Sequence, residues 1–430
     1  MGHPLPQVLQ RRSKKAGHVA HFLQQTPKNI KALTTENTEY AANSVFDISA
    51  DSAGIPQGTL RLRAFALVAR DNRSLQETSR ISDCIKRSAL GAGFDLAGVA
   101  SVQDFPELAR FPDWIAEGRA GEMKYLESRD ESGRLRRASL KSVFPWARSV
   151  IVCAINYNTA HPYSTAASDP GRGWISRYAW SREAYHDSVL RRLREVEAKL
   201  KEGFAGIETR AYVDTGPIVE RVYAKYAGVG WQGKNTCVIN QKIGSWLFLG
   251  VIITSLELTA DSPALDRCGT CTRCIEACPT HAIVAPYELD SNKCISYLTI
   301  EKRGSIPEEM RGGMGNQVFG CDICQDVCPW NRKAPATDNL EFQAREGLVN
   351  PALEWLAEIS EAEFRDKFRG SPVKRTKRSG LRRNTLIAIC NSGDQTLLPI
   401  IERVLNDPDP VVAEAAQWAK RRIETKAMPP

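Results

Sequence analysis

Cysteines are concentrated in one short part of this 430-residue chain. Eight of the 12 cysteines lie within the 61 residues from Cys268 to Cys328. A secreted protein stabilised by disulfides is usually short and carries its cysteines along its whole length. A long chain with one dense group of cysteines is instead typical of metal ligation in a reducing compartment. The sequence therefore predicts a cytoplasmic protein with a metal-binding region between these two residues.

The spacing within this group is that of bacterial ferredoxins. The first run has the form C-x2-C-x2-C-x3-C-P, in which three cysteines hold one [4Fe–4S] cluster and the fourth crosses to a second cluster. The second run, C-x2-C-x3-C-P, lacks one cysteine, which Cys294 can supply. The predicted ligands are Cys268, Cys271, Cys274 and Cys328 for one cluster, and Cys278, Cys294, Cys321 and Cys324 for the other.

Two zinc sites are the alternative interpretation of these cysteines. Zinc favours separate C-x2-C pairs, and three cysteines in succession followed by Cys-Pro are uncommon in zinc sites. Two [4Fe–4S] clusters are therefore the prediction. Two adjacent clusters indicate delivery of single electrons to another group on the same chain.

Composition and charge are those of a globular protein with a mildly basic surface. Hydrophobic residues make up 42% and charged residues 25% of the chain. The net charge of +8 is compatible with an acidic partner such as nucleic acid. The longest uncharged apolar run, Ser245–Leu256, is far shorter than the roughly 20 residues of a membrane-spanning helix. Arg11-Arg12 is not followed by the apolar stretch of an export signal, so we expect no membrane association.

Residue patterns divide the chain into four predicted regions. Residues 1–74 are polar and aperiodic, which predicts a disordered or poorly packed extension. Residues 75–264 mix strands with amphipathic helices, as in an α+β domain. Residues 265–331 form the ferredoxin-like two-cluster domain. Residues 332–430 read as a short stack of helices, similar to a HEAT repeat.

The segment Gly228–Asn235 (GVGWQGKN) matches two nucleotide-binding patterns, G-x-G-x-x-G and G-x4-G-K. A dinucleotide fingerprint follows a strand and opens a helix, but here the predicted helix precedes the segment and a strand follows it. A P-loop needs Ser or Thr after the lysine, where this chain has Asn235. We therefore expect no nucleotide site, and we expect the glycines to let the backbone approach some other ligand closely.

Asp214 follows a predicted strand over Thr209–Val213, and Thr215-Gly216-Pro217 is predicted to open the next helix. An acid at the C-terminal end of a strand is well placed to serve a pocket. The alternative is a helix-capping aspartate, which is common and which the residue pattern alone favours.

A basic run lies before the terminal helices. Six of the ten residues 374–383 are basic. Such a run is either a solvated face or a phosphate-binding surface, and the residues alone leave both interpretations open. The nucleic-acid-binding residues predicted here are Lys374, Arg375, Lys377, Arg378, Arg382 and Arg383.

These motifs, in this order, resemble the epoxyqueuosine reductase family over about residues 75–425. The resemblance rests on GEMKYL (121–126), DTGPIVER (214–221), GWQGKN (230–235), CISYLTIE (294–301), GCDICQDVCPWN (320–331) and RRN (382–384). Two features depart from the family. Residues 1–74 have no counterpart, and the segment 137–145 begins Arg-Ala-Ser where the family often has an Asp-Pro pair.

The resemblance implies a nitroreductase-like core that binds cobalamin. The chain lacks the D-x-H-x-x-G motif of histidine-ligated cobalamin proteins, so the family's mode of binding without a histidine is expected. The resemblance places Asp214 as the proton donor in contact with cobalamin. It also implies cobalamin contacts by Arg137, Arg177, Val238 and Leu249, the last two through backbone or apolar atoms.

The implied reaction is the two-electron reduction of epoxyqueuosine to queuosine in the anticodon wobble position of tRNA, with loss of water. The two clusters would supply electrons to the cobalamin, and Asp214 would protonate the departing oxygen. The implied partners are tRNA and an unidentified electron donor of the ferredoxin or flavodoxin type, and we expect a monomer.

Two functions of other kinds remain as alternatives. A cobalamin-dependent reductive dehalogenase also carries two clusters, but it typically has an export signal and does not need a basic terminal repeat. A non-catalytic iron–sulfur electron carrier would need only residues 265–331 and would leave Asp214 unexplained.

Overall fold

A computed structural model of the protein describes residues 76–166 and 169–427. The predicted extension over residues 1–74 lies outside these ranges. Within them, no helix combines the length and the apolar character that crossing a bilayer requires.

The first half of the described chain alternates strands and helices. In chain order its elements are α1 (76–91), β1 (Leu96–Ser101), α2 (Pro106–Ala116), α3 (Leu140–Val143), β2 (Ser149–Asn156), β3 (Trp174–Ile175), α4 (Tyr185–Gly203), β4 (Thr209–Tyr212), α5 (Glu220–Tyr226), β5 (Trp231–Gln232), β6 (Val238–Ile239) and β7 (Leu247–Thr254). The strands predicted over Ser149–Asn156 and Thr209–Val213 are confirmed, the second one residue shorter.

The second half consists of short elements followed by helices. They are α6 (Arg273–Glu276), β8 (Ile283–Ala285), β9 (Glu288–Leu289), α7 (Ile295–Ile300), α8 (Glu308–Arg311), β10 (Gln317–Phe319), α9 (Ile323–Asp326), α10 (Leu353–Glu358), α11 (Glu361–Lys367), α12 (Lys377–Ser392), α13 (Leu398–Arg403) and α14 (Pro410–Ala427). The predicted terminal helices are confirmed as α12, α13 and α14.

A four-stranded antiparallel sheet, in the order β1-β2-β7-β4, organises the first half. All eight residues of β2 are buried, as its β-branched sequence SVIVCAIN predicts. Successive side chains of a strand point to opposite faces. Ile151, Cys153 and Ile155 accordingly pack in one core with α1 and α4, whereas Val150 and Val152 pack in another with α2 and α5. The sheet is therefore covered on both faces, which confirms the α+β class.

A third core joins distant parts of the sequence. It contains Trp174 and Trp180 from the first half, Leu298 from α7, and residues of α10 and α12–α14. One continuous core thus crosses the predicted domain boundaries at residues 264 and 331, and the division into domains stays a prediction. Cys294 and Cys321 of the cysteine-rich region pack against this core, so it holds them together with the terminal helices.

The predicted start of the helix at Thr215-Gly216-Pro217 is wrong. The segment after β4 bends, and α5 begins at Glu220 with Val219 as its N-cap. Asp214 therefore does not cap α5. The five residues between Asp214 and α5 form a loop at the edge of the sheet.

Candidate active site

A cavity of about 390 Å³ lies between β7, the loop after β4 and the cysteine-rich region. Leu247, Phe248 and Leu249 of β7 give it an apolar wall, and Asp214 and Glu220 contribute two carboxyl groups. The opposite wall contains four of the predicted cluster ligands, namely Cys278, Cys294, Cys321 and Cys324. A group bound here would contact carboxyl groups on one side and a source of electrons on the other.

Asp214 lies in a tight three-residue turn. The N–H of Thr215 donates to the carbonyl oxygen of Val213 at 2.7 Å, and Asp214 between them has a φ of 59°. A positive φ is uncommon outside glycine, although Asp adopts it more readily than most residues. Strained backbone of this kind often accompanies functional sites. The turn makes Asp214 a candidate functional residue, and its side chain is 53% exposed.

Two residues of α4 hold the Asp214 carboxylate. The Tyr185 hydroxyl donates to Oδ2 of Asp214 at 2.5 Å, and Nε2 of His186 lies 3.5 Å from the same oxygen. The Tyr185 ring stacks on Phe248, with 4.3 Å between ring centroids. Burial, reinforced by the charge of Asp214, raises the pKa of Tyr185. The phenol therefore stays protonated and acts as a donor that orients the acid.

Glu220 is a second carboxyl group of the cavity, and the sequence motif gave no role to it. Its Oε1 atom is shielded from solvent and has no hydrogen-bond partner. Burial raises the pKa of Glu220 to about 7, and the charge of Asp214 acts in the same direction. The positive charges of Arg137 and Arg221 oppose this shift. Glu220 is thus a group that exchanges a proton near neutral pH.

The cysteines separate into two groups by proximity. Burial raises the pKa of Cys328 to about 11, and Cys268 and Cys274 contribute to that rise through their charge. In the other group, burial raises the pKa of Cys321, with contributions from Cys294 and Cys278. Cys237 contributes to the rise at Cys328 as well, and Cys268 packs against the small core that contains Cys328. The crossed pairing, in which Cys328 joins the first run, stays a prediction.

Single zinc ions are the alternative to clusters in the sequence interpretation of these cysteines. A tetrahedral zinc site needs four ligands within about 2.3 Å of one point. Across the described ranges, no three His, Cys, Asp or Glu side chains converge in a way that could hold a single metal ion. The two groups of four thiols remain the ligand set proposed for the clusters. A further thiol, Cys237, also lines the cavity, although its apolar sequence context gave no sign of this.

The glycine-rich segment fastens the sheet domain to the cysteine-rich region. Nζ of Lys234 donates to the carbonyl oxygens of Gly269 and Cys271, at 2.7 and 3.0 Å. Nδ2 of Asn235 donates to the carbonyl oxygen of Cys324 at 3.2 Å. The lysine is therefore engaged by protein carbonyls on the first cysteine run, and the asparagine binds the second. This agrees with the prediction that the segment is no nucleotide site.

Two glycines of this segment lie in close contact with another strand of the protein. A Cβ at Gly230 would lie 2.5 Å from the carbonyl oxygen of Ile239, and one at Gly233 would lie 2.5 Å from the Ile239 side chain. The glycines thus allow β5 and β6 to pack closely. The expected approach of a ligand to these glycines stays a prediction.

Two acids of the second cysteine run complete this attachment. Asp322 accepts hydrogen bonds from Nε1 of Trp174, at 2.9 Å, and from the N–H of Arg177, at 2.8 Å. Asp326 accepts from the N–H and the hydroxyl of Ser164, at 2.8 and 2.5 Å. Both acids are buried. The motif GCDICQDVCPWN therefore also fixes the position of its cysteines against the cavity wall.

The residues predicted to contact cobalamin are only partly brought together. Leu249 and Asp214 line the cavity. Val238 is buried in β6, and Arg137 lies beside Tyr125, donating to its carbonyl oxygen at 3.3 Å. The Arg177 guanidinium is buried and donates to the carbonyl oxygens of residues 159, 161 and 162. A contact through the Arg177 side chain is therefore not supported, because these acceptors already hold it.

Arg382 and Arg383 correct the prediction of a basic nucleic-acid surface. Both side chains are buried. Arg382 forms an ion pair with Asp407 at 2.7 Å and donates to the carbonyl oxygen of Ala357 at 2.6 Å. Arg383 donates to the carbonyl oxygens of Leu298, Lys302 and Gly304. These guanidinium groups stabilise the third core and are not available to phosphates.

The other four basic residues lie differently. Lys374, Arg375 and Lys377 are exposed, and Arg378 is half-buried with its Nε donating to the carbonyl oxygen of Ile359. Arg375 forms an ion pair with Glu301 at 2.5 Å. Only the first three therefore remain as residues of an open basic surface.

An aromatic residue connects this surface to the cavity. Tyr125 is 47% exposed, and the guanidinium groups of Arg137 and Arg375 lie 5.8 and 5.3 Å from its ring centroid. Burial and the charge of Glu301 raise the pKa of Tyr125, and Asp214 is close enough to add to that rise. We call Tyr125, Arg137, Glu301 and Arg375 the mouth patch. In the sequence, Tyr125 belongs to the motif GEMKYL, and no role was predicted for it.

The segment before Tyr125 is held against α7. The N–H of Glu122 donates to the Tyr297 hydroxyl at 2.8 Å, and the Glu122 carboxylate pairs with Lys302. Gly121 has a φ of 59°, and a Cβ there would clash with the Tyr297 ring. Glycine is therefore required at this close approach. The motifs GEMKYL and CISYLTIE form one unit that positions the mouth patch.

Two family profiles match parts of the chain. Residues 267–331 match the family described as “4Fe-4S double cluster binding domain”. Residues 137–215 match the family described as “Epoxyqueuosine reductase QueG, DUF1730”. The first match covers all eight predicted cluster ligands, and the second ends just after Asp214.

Whole-chain relatives agree with these profiles. The epoxyqueuosine reductase of Synechocystis sp. is 44% identical over 291 residues, which are 67% of this chain and 97% of the relative. A solved epoxyqueuosine reductase with an epoxyqueuosine-modified tRNA-Tyr stem loop has a TM-score of 0.72 at 31% identity, covering 80% of this chain and 90% of that one. The Bacillus subtilis epoxyqueuosine reductase, solved with its catalytic aspartate loop swung out of the active site, has a TM-score of 0.71 at 30% identity, with the same coverage.

Proposed function

This chain belongs to the epoxyqueuosine reductase family, and on that basis we propose that it reduces epoxyqueuosine in tRNA to queuosine. The observation that carries the proposal is the composition of one cavity, in which Asp214 faces four cysteines of the double-cluster region. The overall change consumes two electrons and two protons, breaks both bonds to the epoxide oxygen, forms an alkene and releases water. The protein must therefore bring electrons and protons to the same place.

The lining of the cavity suits one face of the corrin of the cobalamin that this family uses, because it combines an apolar wall with hydrogen-bonding side chains. The wall formed by Leu247, Phe248 and Leu249 would pack against its apolar face, and Asn235 and Gln325 lie at the rim as hydrogen-bonding groups. None of the described residues that line the cavity is a histidine, which suits binding without an imidazole ligand. When bound, cobalamin supplies the redox-active metal that passes electrons from the clusters to the substrate.

Asp214 is proposed as the acid that protonates the departing oxygen. The Tyr185 hydroxyl fixes one carboxylate oxygen by a hydrogen bond of 2.5 Å, which leaves the other oxygen free to carry a proton into the cavity. The side chain is 53% exposed, so it can regain its proton from water after each turnover. The solved relative with a displaced aspartate loop supports a loop that can move.

The mouth patch and the exposed residues Lys374 and Lys377 are proposed as the tRNA surface. An exposed tyrosine flanked by guanidinium groups is typical of surfaces that stack unpaired bases. Lysines nearby would contact phosphates in a salt-dependent manner. The proximity of this patch to Asp214 would let an anticodon loop bind outside while its modified base enters the cavity.

Because the chain belongs to this family, we do not pursue the two alternatives drawn from the sequence, the reductive dehalogenase and the non-catalytic electron carrier. The finer features of the family remain part of the proposal. These are a nitroreductase-like core over the sheet, a HEAT-like arrangement of the terminal helices, a cytoplasmic location, a monomeric state and a ferredoxin or flavodoxin as the electron donor.

The test of the proposed function is anaerobic reconstitution with iron, sulfide and cobalamin, followed by incubation with tRNA that carries epoxyqueuosine and a chemical reductant. Mass spectrometry of the digested tRNA measures conversion, and cobalt and iron are counted in the same preparation. We expect queuosine only when both metals are present. A preparation with two clusters and bound cobalamin that leaves epoxyqueuosine unchanged would contradict the proposal.

A further inference from the structure

The reaction proposed above needs two protons for each epoxide, and Asp214 carries one. A second proton must reach the oxygen before it can leave as water. Water itself is a weak acid, and an enclosed site benefits from a positioned group with a pKa near the working pH. The second proton therefore calls for another proton-holding group in the same cavity.

Glu220 meets the geometric conditions. It is the first residue of α5 and faces the same cavity as Asp214. Its Oε1 atom is shielded from solvent and has no hydrogen-bond partner. A buried carboxylate with one unsatisfied oxygen is costly, whereas a protonated carboxyl group is tolerated. A hydrogen bond to the backbone of Glu220 itself lowers the pKa, but burial outweighs it. The position thus favours a stored proton.

The two arginines nearest in charge do not neutralise Glu220 by direct pairing. Nη1 of Arg221 donates to the carbonyl oxygen of Thr236 at 3.0 Å and to its hydroxyl at 3.3 Å. Nη1 of Arg137 donates to the carbonyl oxygen of Tyr125. Both guanidinium groups are directed to other acceptors, and Glu220 is not held as one half of an ion pair with either.

Few other titratable groups face this position. The strands that pack against α5, namely β1, β2, β5, β6 and β7, contain no charged residue. Cys153 in β2 is buried, and burial raises its pKa to about 12. On α2, Glu107 pairs with Lys225 at the far end of α5. The charges that act on Glu220 are those of Asp214, Arg137 and Arg221.

We propose that Glu220 is the second proton source of the reaction, a carboxyl group that completes the water molecule formed from the epoxide oxygen. The two electrons are those that the clusters and the cobalamin would supply. Both carbon–oxygen bonds break and the carbon–carbon π bond forms. One proton comes from Asp214 and one from Glu220, and the oxygen leaves as water. Both carboxylates then recover their protons from solvent. This proposal rests on the proposed function.

The direction of the pH dependence follows from the pKa of about 7 for Glu220. The protonated share of this carboxyl group is high below that pH and falls as pH rises through it. A step that uses the Glu220 proton therefore slows above pH 7.

The first measurement needs no turnover. Difference infrared spectroscopy of the protein with its clusters but without cobalamin follows the carboxylic acid band during a pH titration. We expect the wild type to lose a band with a midpoint near neutral pH, the Glu220→Gln protein to lack that band, and Glu202→Gln to retain it. Glu202 is the matched control because it is exposed on α4. A band that persists in Glu220→Gln would overturn the assignment.

The second measurement is the single-turnover rate on modified tRNA across pH 6 to 9, in preparations matched for iron and cobalt. Loss of a positioned acid typically costs roughly 10² to 10⁴-fold in rate. We expect a loss in this range for Glu220→Gln with a flattened profile, partial recovery in Glu220→Asp, and a wild-type profile in Glu202→Gln. A wild-type rate and profile in Glu220→Gln would overturn the proposal.

The two measurements separate this proposal from the proposed function. If the wild type converts no epoxyqueuosine, the proposed function fails and the role of Glu220 fails with it, whatever the infrared titration shows. If the wild type converts it and Glu220→Gln does so equally well, only the role of Glu220 is wrong. If Glu220→Gln does not take up its metals, Glu220→Asp decides, because a rate and profile equal to the wild type would then contradict a dependence on this acid's position.

Discussion

The Tyr185 hydroxyl donates a 2.5 Å hydrogen bond to Oδ2 of Asp214, and the same tyrosine ring stacks on Phe248 of the central sheet. The acid of the cavity is thus connected to β7 of the central sheet through the Tyr185 side chain, while His186 lies 3.5 Å from the same carboxylate oxygen. Because Asp214 itself lies in a strained turn on a loop, this hydrogen bond is the main contact that fixes its direction.

Replacing Tyr185 with Phe should slow the reaction without disturbing the fold. The stacking on Phe248 is retained, while the hydrogen bond to a carboxylate, worth about 1.5–3 kcal/mol, is lost. We expect a rate reduced roughly 10- to 100-fold at unchanged cobalt and iron content. The measurement is single-turnover conversion of modified tRNA. Tyr163→Phe serves as a control, since its hydroxyl bonds the carbonyl oxygen of Asn331 away from Asp214. Equal rates in Tyr185→Phe and the wild type would show that the hydrogen bond does not orient the acid.

Replacing Asp214 with Asn should remove most of the activity. Asn has nearly the same volume and tolerates a positive φ, so the turn is kept, but it has no acidic proton. The helix-capping interpretation, under which Asn would be harmless, no longer applies because α5 begins at Glu220. We expect turnover reduced by roughly 10² to 10⁴-fold. Near wild-type conversion by a fully loaded Asp214→Asn protein would remove Asp214 from the chemistry.

The crossed pairing of the cluster ligands can be tested by replacing one cysteine of each group. Cys328 lies at the end of the second run but is near Cys268 and Cys274. Cys328→Ala should therefore damage the cluster of the first run, and Cys321→Ala the other. Iron content should fall by about half in each variant, and electron paramagnetic resonance should show which signal disappears. The exposed Cys84 provides the control Cys84→Ala. Loss of the same signal in both cluster variants would contradict the pairing.

The basic run separates into a structural part and a surface part. Arg382→Ala should destabilise the protein by about 3–5 kcal/mol, because it leaves Asp407 without its buried partner. Lys374→Ala, at an exposed position, should leave the melting temperature unchanged. Lys374→Ala should also weaken tRNA binding. The slope of the logarithm of the binding constant against the logarithm of the salt concentration should become less steep by about one, the value for one phosphate contact. Thermal unfolding and filter binding at several salt concentrations measure the two effects. An unchanged melting temperature in Arg382→Ala would contradict the structural role.

The sequence predicted most of this organisation because its signals were local. The C-x2-C spacing, the β-branched run of β2 and the amphipathic pattern of α4 (Tyr185–Gly203) each depend on neighbours within a few residues. The start of α5 was missed because proline after glycine suits both a helix start and a bend. In the fold the Tyr212 ring occupies the space beside Gly216, where a Cβ would lie 2.6 Å from Tyr212 Cγ.

Long-range contacts decided the residues that the sequence misplaced. Nothing in the run KRTKRSGLRR distinguishes an arginine that faces water from one that is paired with Asp407, which follows 25 residues later. The environment of the Glu220 carboxyl group likewise depends on long-range contacts. Its surroundings come from Asp214, Arg137 and the five strands that pack against α5, and only the folded chain brings them together.

The pH dependence of stability provides a test of Glu220 that is independent of turnover. Its pKa is about 7 in the folded protein against 4.5 for an exposed glutamate. Between these values the folded state holds a proton that the unfolded state has released, so the stability contributed by this group falls as pH rises from about 4.5 to 7. At most about 3 kcal/mol is involved, from 1.36 kcal/mol per pKa unit. Glu220→Gln should therefore show a smaller loss of melting temperature over this range than the wild type, while Glu202→Gln should match the wild type. Parallel curves for all three proteins would show that Glu220 titrates normally.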